Sequence, residues 1–173
     1  ALLQTGYEDL SLMSLSTGDY TQLEALMTHL MARCEPKRVA VSFPSLRAGK
    51  LAPELMRLVK QVRKTGFTIA PEAGSQRLRD VINKNITETE IIETVRDAFN
   101  LGWQVVKLYF MIGLPTETKE DIESIANLME RAVKLSKGYG RIQFHVSVSP
   151  FSPKSHTPFQ WERQNTKEEF LEK

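Results

Sequence analysis

Cysteine is the scarcest resource in this chain: one residue, Cys34, among 173. A single cysteine excludes a disulfide-stapled secreted fold, and it excludes an all-cysteine metal site built by these residues alone. Histidine is nearly as scarce. His29, His145 and His156 are the full set, and no two share metal-ligand spacing. No metal site is expected from this chain. Excess charge of one sign is also missing. Lys plus Arg number 23 and Asp plus Glu 21, a net charge of +2, which argues against a general nucleic-acid surface. No apolar run reaches the roughly 18 residues of a membrane helix. Ala1-Leu2-Leu3-Gln4 is too short for the apolar core of a signal peptide, so a cytoplasmic location is expected. There is no G-x-S-x-G elbow to anchor hydrolase chemistry, and neither a dinucleotide fingerprint nor a Walker A lysine.

What is present is an ordered composition, 41% hydrophobic and 25% charged, of a length that fits one domain over residues 1–173. Helical and strand patterns alternate throughout. An apolar run with Leu10, Leu12 and Leu15 predicts a largely buried strand over about Asp9 to Ser16. Leu23, Leu26, Met27, Leu30 and Met31 make one face of a helix over Tyr20 to Met31. Val39 to Phe43 reads as a short buried strand. A second helix opens near Pro53, with Leu55, Leu58, Val59 and Val62 inward and Gly66 as its stop. Phe67 to Ala70 is a third strand ending at Pro71. Ser75 to Ile82 is a short helix, and Thr87 with Glu90 is a capping box opening a longer one. Val105 to Ile112 is the most apolar strand. The helix after it starts at Thr116 or Thr118, with Ile122, Ile125, Leu128, Met129 and Val133 as its buried stripe. In the last strand Ile142, Phe144, Val146 and Val148 alternate with polar residues. Thr166 to Lys173 reads as a helix start.

Five strands in βα order give parallel neighbours joined by crossovers. An open doubly wound sheet and part of a (β/α) barrel both satisfy that order. Polar residues favour the barrel. Ser14 with Ser16, Ser42 with Ser45, Glu72 with Ser75, Tyr109, and His145 with Ser147 and Ser149 all fall toward strand C-terminal ends, where parallel α/β sheets bind ligands. Contributions from several successive strands suit a barrel mouth better than one crevice. A full eight-strand barrel needs roughly 250 residues, so the chain is expected to be either a partial barrel or a fragment of one.

Three local features could carry chemistry. Ala70-Pro71-Glu72-Ala73-Gly74-Ser75 places a carboxylate at a strand end, where it can accept from a sugar diol or cap the helix at Ser75. The glycine permits close backbone approach. Gly113-Leu114-Pro115-Thr116-Glu117-Thr118 offers a flat strand end and backbone donors, or an ordinary turn. Asp19 could meet a cationic amine or cap a helix. Cys34 follows a helix end, which reads as packing. The aromatic and proline-rich stretch Pro150 to Trp161 reads as a lid, a substrate loop or a cover for one end of the core.

Together these runs resemble a known family. Phe67 to Thr87, with its Pro-Glu-Ala-Gly-Ser stretch, resembles the fourth-strand region of radical S-adenosylmethionine (radical SAM) enzymes. Lys107 to Thr118 resembles their fifth-strand G-x-P-x-E-T stretch. Gly6 to Tyr20 and Val41 to Arg47 resemble the second and third strands. The group it is similar to is the large iron–sulfur oxidoreductases, in which a cobalamin-binding-like domain precedes the radical domain. The resemblance implies a partial six-strand (β/α) TIM-type barrel, of which this chain carries about five strands. It implies a [4Fe–4S] cluster on a C-x3-C-x2-C motif and S-adenosylmethionine cleaved reductively to methionine and a 5′-deoxyadenosyl radical. It further implies an electron donor such as flavodoxin or ferredoxin, and it makes cobalamin a candidate cofactor held by an upstream domain. Carried over by position, Ser16, Gly18 and Asp19 would lie near the methionine part of the cofactor, Glu72 and Ser75 near its ribose and carboxylate, and Ile112, Gly113 and Leu114 at its adenine. Arg79 would assist the carboxylate. His145, Ser147 and Ser149 would face the substrate, which the sequence does not name.

The triple-cysteine motif is absent, and Cys34 does not replace it. The expectation is a piece of a longer enzyme, its cysteines in an upstream segment of the same polypeptide, and inactive alone. Two alternatives stay open: a cluster-free scaffold or interaction domain, and a (β/α) enzyme binding a phosphate at the Ser75 or Thr116 helix start.

Overall fold

The structure, a computed structural model, describes residues 2–13, 20–42 and 66–173. Its elements in chain order are α1 (Leu2–Thr5), β1 (Asp9–Ser11), α2 (Leu23–Cys34), β2 (Ala40–Ser42), β3 (Phe67–Glu72), α3 (Gln76–Val81), α4 (Glu88–Asn100), β4 (Val105–Ile112), α5 (Lys119–Ser136), β5 (Gln143–Pro150) and α6 (Lys167–Leu171). The expected helix after Pro53 lies outside the described residues, as do Ser14, Ser16, Gly18, Asp19, Ser45 and Arg47. No helix among the described residues is long and apolar enough to cross a membrane.

All strand pairing among the described residues is parallel. β1 lies beside β2, with Leu10 opposite Val41. β3, β4 and β5 form a second sheet in that order. β4 and β5 pair without interruption from Val105 opposite Gln143 to Ile112 opposite Pro150. Parallel strands joined through helices, in two sheets, are consistent with the partial (β/α) barrel that the sequence predicts.

One hydrophobic core serves both sheets. Met27 and Met31 of α2, Val41 of β2, Phe67 and Ile69 of β3, Val106, Leu108 and Phe110 of β4, and Ile91, Val95, Ala98 and Phe99 of α4 belong to a single buried cluster. Each large apolar side chain so buried stabilises by about 1.5–3 kcal/mol relative to exposure. Phe67 packs on Trp103 with ring centroids 5.5 Å apart, and Phe99 meets Phe144 edge-on at 5.9 Å. The helices that cover β3 and β4 start where their caps say. Thr87 and Glu90 form the reciprocal capping box of α4, and Thr118 and Asp121 form that of α5.

Several expectations change. α2 begins at Leu23, after a turn at Thr21–Gln22, and runs on to Cys34. β1 is more exposed than its apolar run suggests: Asp9 and Ser11 are exposed and Leu10 is half-buried, because β2 is its only partner among the described residues. β3 passes through Pro71 to Glu72 instead of stopping at it. On α5, Leu128 and Ala132 face the core, while Val133, one residue on and rotated off that face, is exposed. Val146 and Val148 of β5 are exposed too, since among the described residues that strand pairs only with β4.

Gly74, between β3 and α3, decides how closely this loop can approach α5. A Cβ at Gly74 would sit 2.8 Å from the Asp121 carbonyl oxygen and 2.7 Å from the Ser124 carbonyl carbon, and closer still to the Ile125 nitrogen. Those are backbone atoms of a helix and have nowhere to go. Gly74→Ala is expected to destabilise by about 1–3 kcal/mol, read as a lower thermal midpoint of the intact protein. An unchanged midpoint would show the contact to be slack.

Candidate functional site

The C-terminal edge of the β3–β4–β5 sheet gathers the polar residues. Pro71 has no N–H to give to β4, and pairing shifts between Ile69 and Glu72. The strand therefore ends on a bulge, with Glu72 at φ +68. A non-glycine residue there costs on the order of 1–3 kcal/mol and persists where its surroundings hold it. Lys84 holds this one, its ammonium 3.1 Å from the Glu72 carboxylate. Lys84 sits between Asn83 and Asn85, both left-handed, in the turn after α3.

Glu72 and Lys84 stand at the edge of a cleft of about 680 Å³ whose walls include Met111, Leu114, Phe151 and Phe159. Phe151 is buried and meets Phe159 edge-on at 6.2 Å. Its amide donates to the Ile112 carbonyl at 2.8 Å, which extends the β4–β5 ladder past the strand ends. The aromatic and proline-rich stretch is thus a wall of this cleft, although its Trp161 is 90% exposed. The arrangement suits a ligand with a flat apolar body and a hydroxylated part.

The end of β4 is held from below and from the side. The Gly113 amide donates to both carboxylate oxygens of Glu117, at 2.8 and 3.0 Å. The Glu117 side chain is buried and ion-paired with Lys173. Gly113 has φ +81, and a Cβ there would lie 2.7 Å from the Phe170 ring. Both its backbone conformation and its neighbour on α6 require glycine.

Asp121 ties this edge together. It is buried within the first turn of α5. Its carboxylate accepts from the Ser75 hydroxyl, from Arg77, and from the Thr118 amide at 2.8 Å and hydroxyl at 3.1 Å. Arg77 donates at the same time to the Thr116 carbonyl, at 2.8 Å, and to the Thr116 hydroxyl, at 3.3 Å. Ser75 also caps α3 by accepting from the Leu78 amide. The Ser75 hydroxyl and the Thr118 amide, which a phosphate would use, are therefore already engaged by a carboxylate.

Arg79 is fully buried. Its guanidinium donates to the carbonyls of Ala73, Gly74 and Ile86 and to the Gln76 side chain. Burial pushes its pKa below the usual value, against the opposing pull of Asp80. It shapes the loop that carries Glu72 and Ser75. On the sheet face, Tyr109 is level with Ser147, Lys107 with His145 and Met111 with Ser149. Tyr109, His145, Ser147 and Ser149 are exposed, and the Ser149 hydroxyl donates to the Phe110 carbonyl at 3.4 Å.

The structure thus brings Glu72 and Leu114 into one cleft, puts Ser75 in the Asp121 network beside it, and sets Ile112 and Gly113 at the adjoining strand end. Ser16, Gly18 and Asp19 are outside the described residues. The sequence reading missed Arg77, Lys84 and Asp121 as parts of this edge, and had Glu117 only as a member of the Gly113-to-Thr118 stretch. The Thr118-x-x-Asp121 cap was a visible signal for Asp121.

Burial would raise the Asp121 pKa. Hydrogen bonds from Arg77, then Ser75 and Thr118, instead hold it at about 2, below the ordinary 3.8. Its contribution to stability is thus fully present above pH 3.8 and lost as pH falls toward 2. Acid titration of the intact protein by circular dichroism is expected to show this limb, and Asp121→Asn to flatten it. An equal slope in both proteins would remove Asp121 as its source.

The residues do not fit a resident iron–sulfur cluster. Cys34 is buried at the end of α2, and among the described residues no group of three or more His, Cys, Asp or Glu could hold a metal ion. They fit the nucleoside half of S-adenosylmethionine better, through the Glu72 carboxylate beside apolar and aromatic walls. An uncharacterized protein of Methanocaldococcus jannaschii is 43% identical over 152 residues, which are 88% of this chain and 32% of that relative. The chain spans about a third of that relative's length. The family model described as the Radical SAM superfamily matches residues 3–129, most of the sequence. The chain belongs to the radical SAM superfamily.

Proposed function

We propose that this chain is the cofactor-binding barrel portion of a radical SAM enzyme, and that its β3 and β4 ends hold the nucleoside half of S-adenosylmethionine. The superfamily generally uses S-adenosylmethionine with a [4Fe–4S] cluster. The observation that carries the reading is Glu72, a strained carboxylate on a strand end, opening with Lys84 onto a cleft walled by Met111, Leu114 and Phe151. In this reading Glu72 accepts from the ribose hydroxyls, and the backbone of Ile112, Gly113 and Leu114 flanks the adenine. Ser75 and Arg79 act by fixing the loop that carries Glu72. Ser16, Gly18 and Asp19 belong to the methionine side. His145, Ser147 and Ser149, with Tyr109, line the wall that a substrate would meet.

Reductive cleavage of S-adenosylmethionine supplies a 5′-deoxyadenosyl radical for attack on that substrate. In this reading the thiolates of a C-x3-C-x2-C motif come from outside these 173 residues, because Cys34 is the one cysteine they contain. An upstream segment of the same polypeptide is the proposed source, and flavodoxin or ferredoxin the proposed class of electron donor. Cobalamin, if used, belongs to a further domain. The +2 charge does not choose among substrates, and the reading names none.

Anaerobic reconstitution with iron and sulfide tests the division of labour. The full-length protein is expected to gain the visible absorption of a [4Fe–4S] cluster and, with dithionite, to release 5′-deoxyadenosine. Residues 1–173 alone are expected to do neither, and a stoichiometric cluster on them would contradict the reading. In the full-length protein, Glu72→Ala is expected to weaken S-adenosylmethionine binding about tenfold or more, the scale of losing a charged hydrogen-bond acceptor. Equilibrium dialysis reads this directly, and unchanged affinity would move the ribose elsewhere.

A further inference from the structure

We propose that Arg77 is a positioning residue for the cofactor: it clamps the β3 loop to the β4 turn, so that the two sides of the nucleoside site are set at a fixed separation. The inference rests on the reading above. Arg77 lies in the first turn of α3, five residues after Glu72 in the chain. Its guanidinium reaches across to the other loop. It donates to the Thr116 carbonyl and hydroxyl and to the Asp121 carboxylate. One side chain thereby joins the loop that carries Glu72 to the turn that begins at Gly113.

Two features mark the clamp as more than surface decoration. Thr116, in the turn after β4, is held at φ +65, and Glu72, at the end of β3, at φ +68. Each loop thus keeps one non-glycine residue in a left-handed conformation that relaxes unless its surroundings over-determine it. Arg77 supplies that restraint for Thr116 by holding its carbonyl and hydroxyl together. Asp121, with Thr118 and Ser75 already bound, accepts from Nη2, the same nitrogen that donates to the Thr116 carbonyl, while Nη1 donates to the Thr116 hydroxyl. The planar fork of arginine meets a carbonyl, a hydroxyl and a carboxylate at once. A lysine ammonium at the same place keeps the charge but lacks that planar reach.

A clamp of this kind acts on binding. Losing it leaves the reacting part of the cofactor untouched and loosens the walls around its nucleoside. The test is Arg77→Ala and Arg77→Lys in the full-length, cluster-containing protein. The probes are S-adenosylmethionine, 5′-deoxyadenosine and methionine, with 5′-deoxyadenosine release as the rate. Arg77→Ala is expected to raise KM for S-adenosylmethionine and Kd for 5′-deoxyadenosine about tenfold, the scale of a lost charged hydrogen bond. It leaves kcat within about twofold, and methionine binding unchanged. Arg77→Lys is expected to show a smaller shift in the same two constants, and it carries the test if the alanine variant is insoluble. Unchanged KM with a folded variant overturns the clamp, as does a fall in kcat alone or an equal loss of methionine binding. A wild-type protein that binds neither S-adenosylmethionine nor 5′-deoxyadenosine overturns the parent reading, and the clamp with it.

Discussion

The Asp121 carboxylate is the point on which the edge of this sheet depends. It sits buried in the first turn of α5 and draws donors from α5's own cap, from Ser75 before α3 and from Arg77 within it. Hydrogen bonds to a charged group contribute roughly 1.5–3 kcal/mol each, and an uncompensated buried carboxylate costs as much or more. The two loops are therefore either joined through Asp121 or both displaced. Gly74 makes the junction sterically possible, since any side chain there would strike the α5 backbone. Glu72 and Gly113 inherit their positions from that junction, and Lys84 and Glu117 complete it locally.

Strain and restraint are paired at this edge. Glu72 and Thr116 both carry positive φ without being glycine. Each lies in a loop whose neighbours are fixed by ionic hydrogen bonds, Lys84 on one and Arg77 on the other. Arg79 adds a buried brace, tying the Ala73 and Gly74 carbonyls to the Ile86 carbonyl beyond α3. So much restraint on short loops suits a site that must be formed before its ligand arrives, because ordering loops at the moment of binding lowers affinity. The apolar wall from Met111, Leu114 and Phe151 then supplies the contact area.

Local chemistry was the legible part of the sequence. Thr87 and Glu90 announce the capping box that the structure shows, and the alternation around Phe144 and Val146 announces β5. Glu72, Ser75 and Gly113 stood out by their place at strand ends, although each also has a plain structural use as a helix cap or a turn residue. Pro71 misled, since a proline usually stops a strand. Here the bulge between Ile69 and Glu72 absorbs its missing donor. Long-range contacts were not legible. Ser75 and Asp121 are 46 residues apart, and no periodicity says that a helix cap on one segment accepts from the start of another. The same holds for Lys173 with Glu117 and for Phe170 against Gly113. The scarcity of cysteine keeps its meaning throughout: with Cys34 alone, the chain holds too few thiols for a C-x3-C-x2-C motif.

Hydrogen exchange on the full-length, reconstituted protein, with and without S-adenosylmethionine, tests this account most directly. Ligand is predicted to slow exchange in two separate stretches together, 72–77 after β3 and 113–118 after β4, because one network holds both. Protection confined to one stretch, or found only elsewhere in the protein, would contradict it.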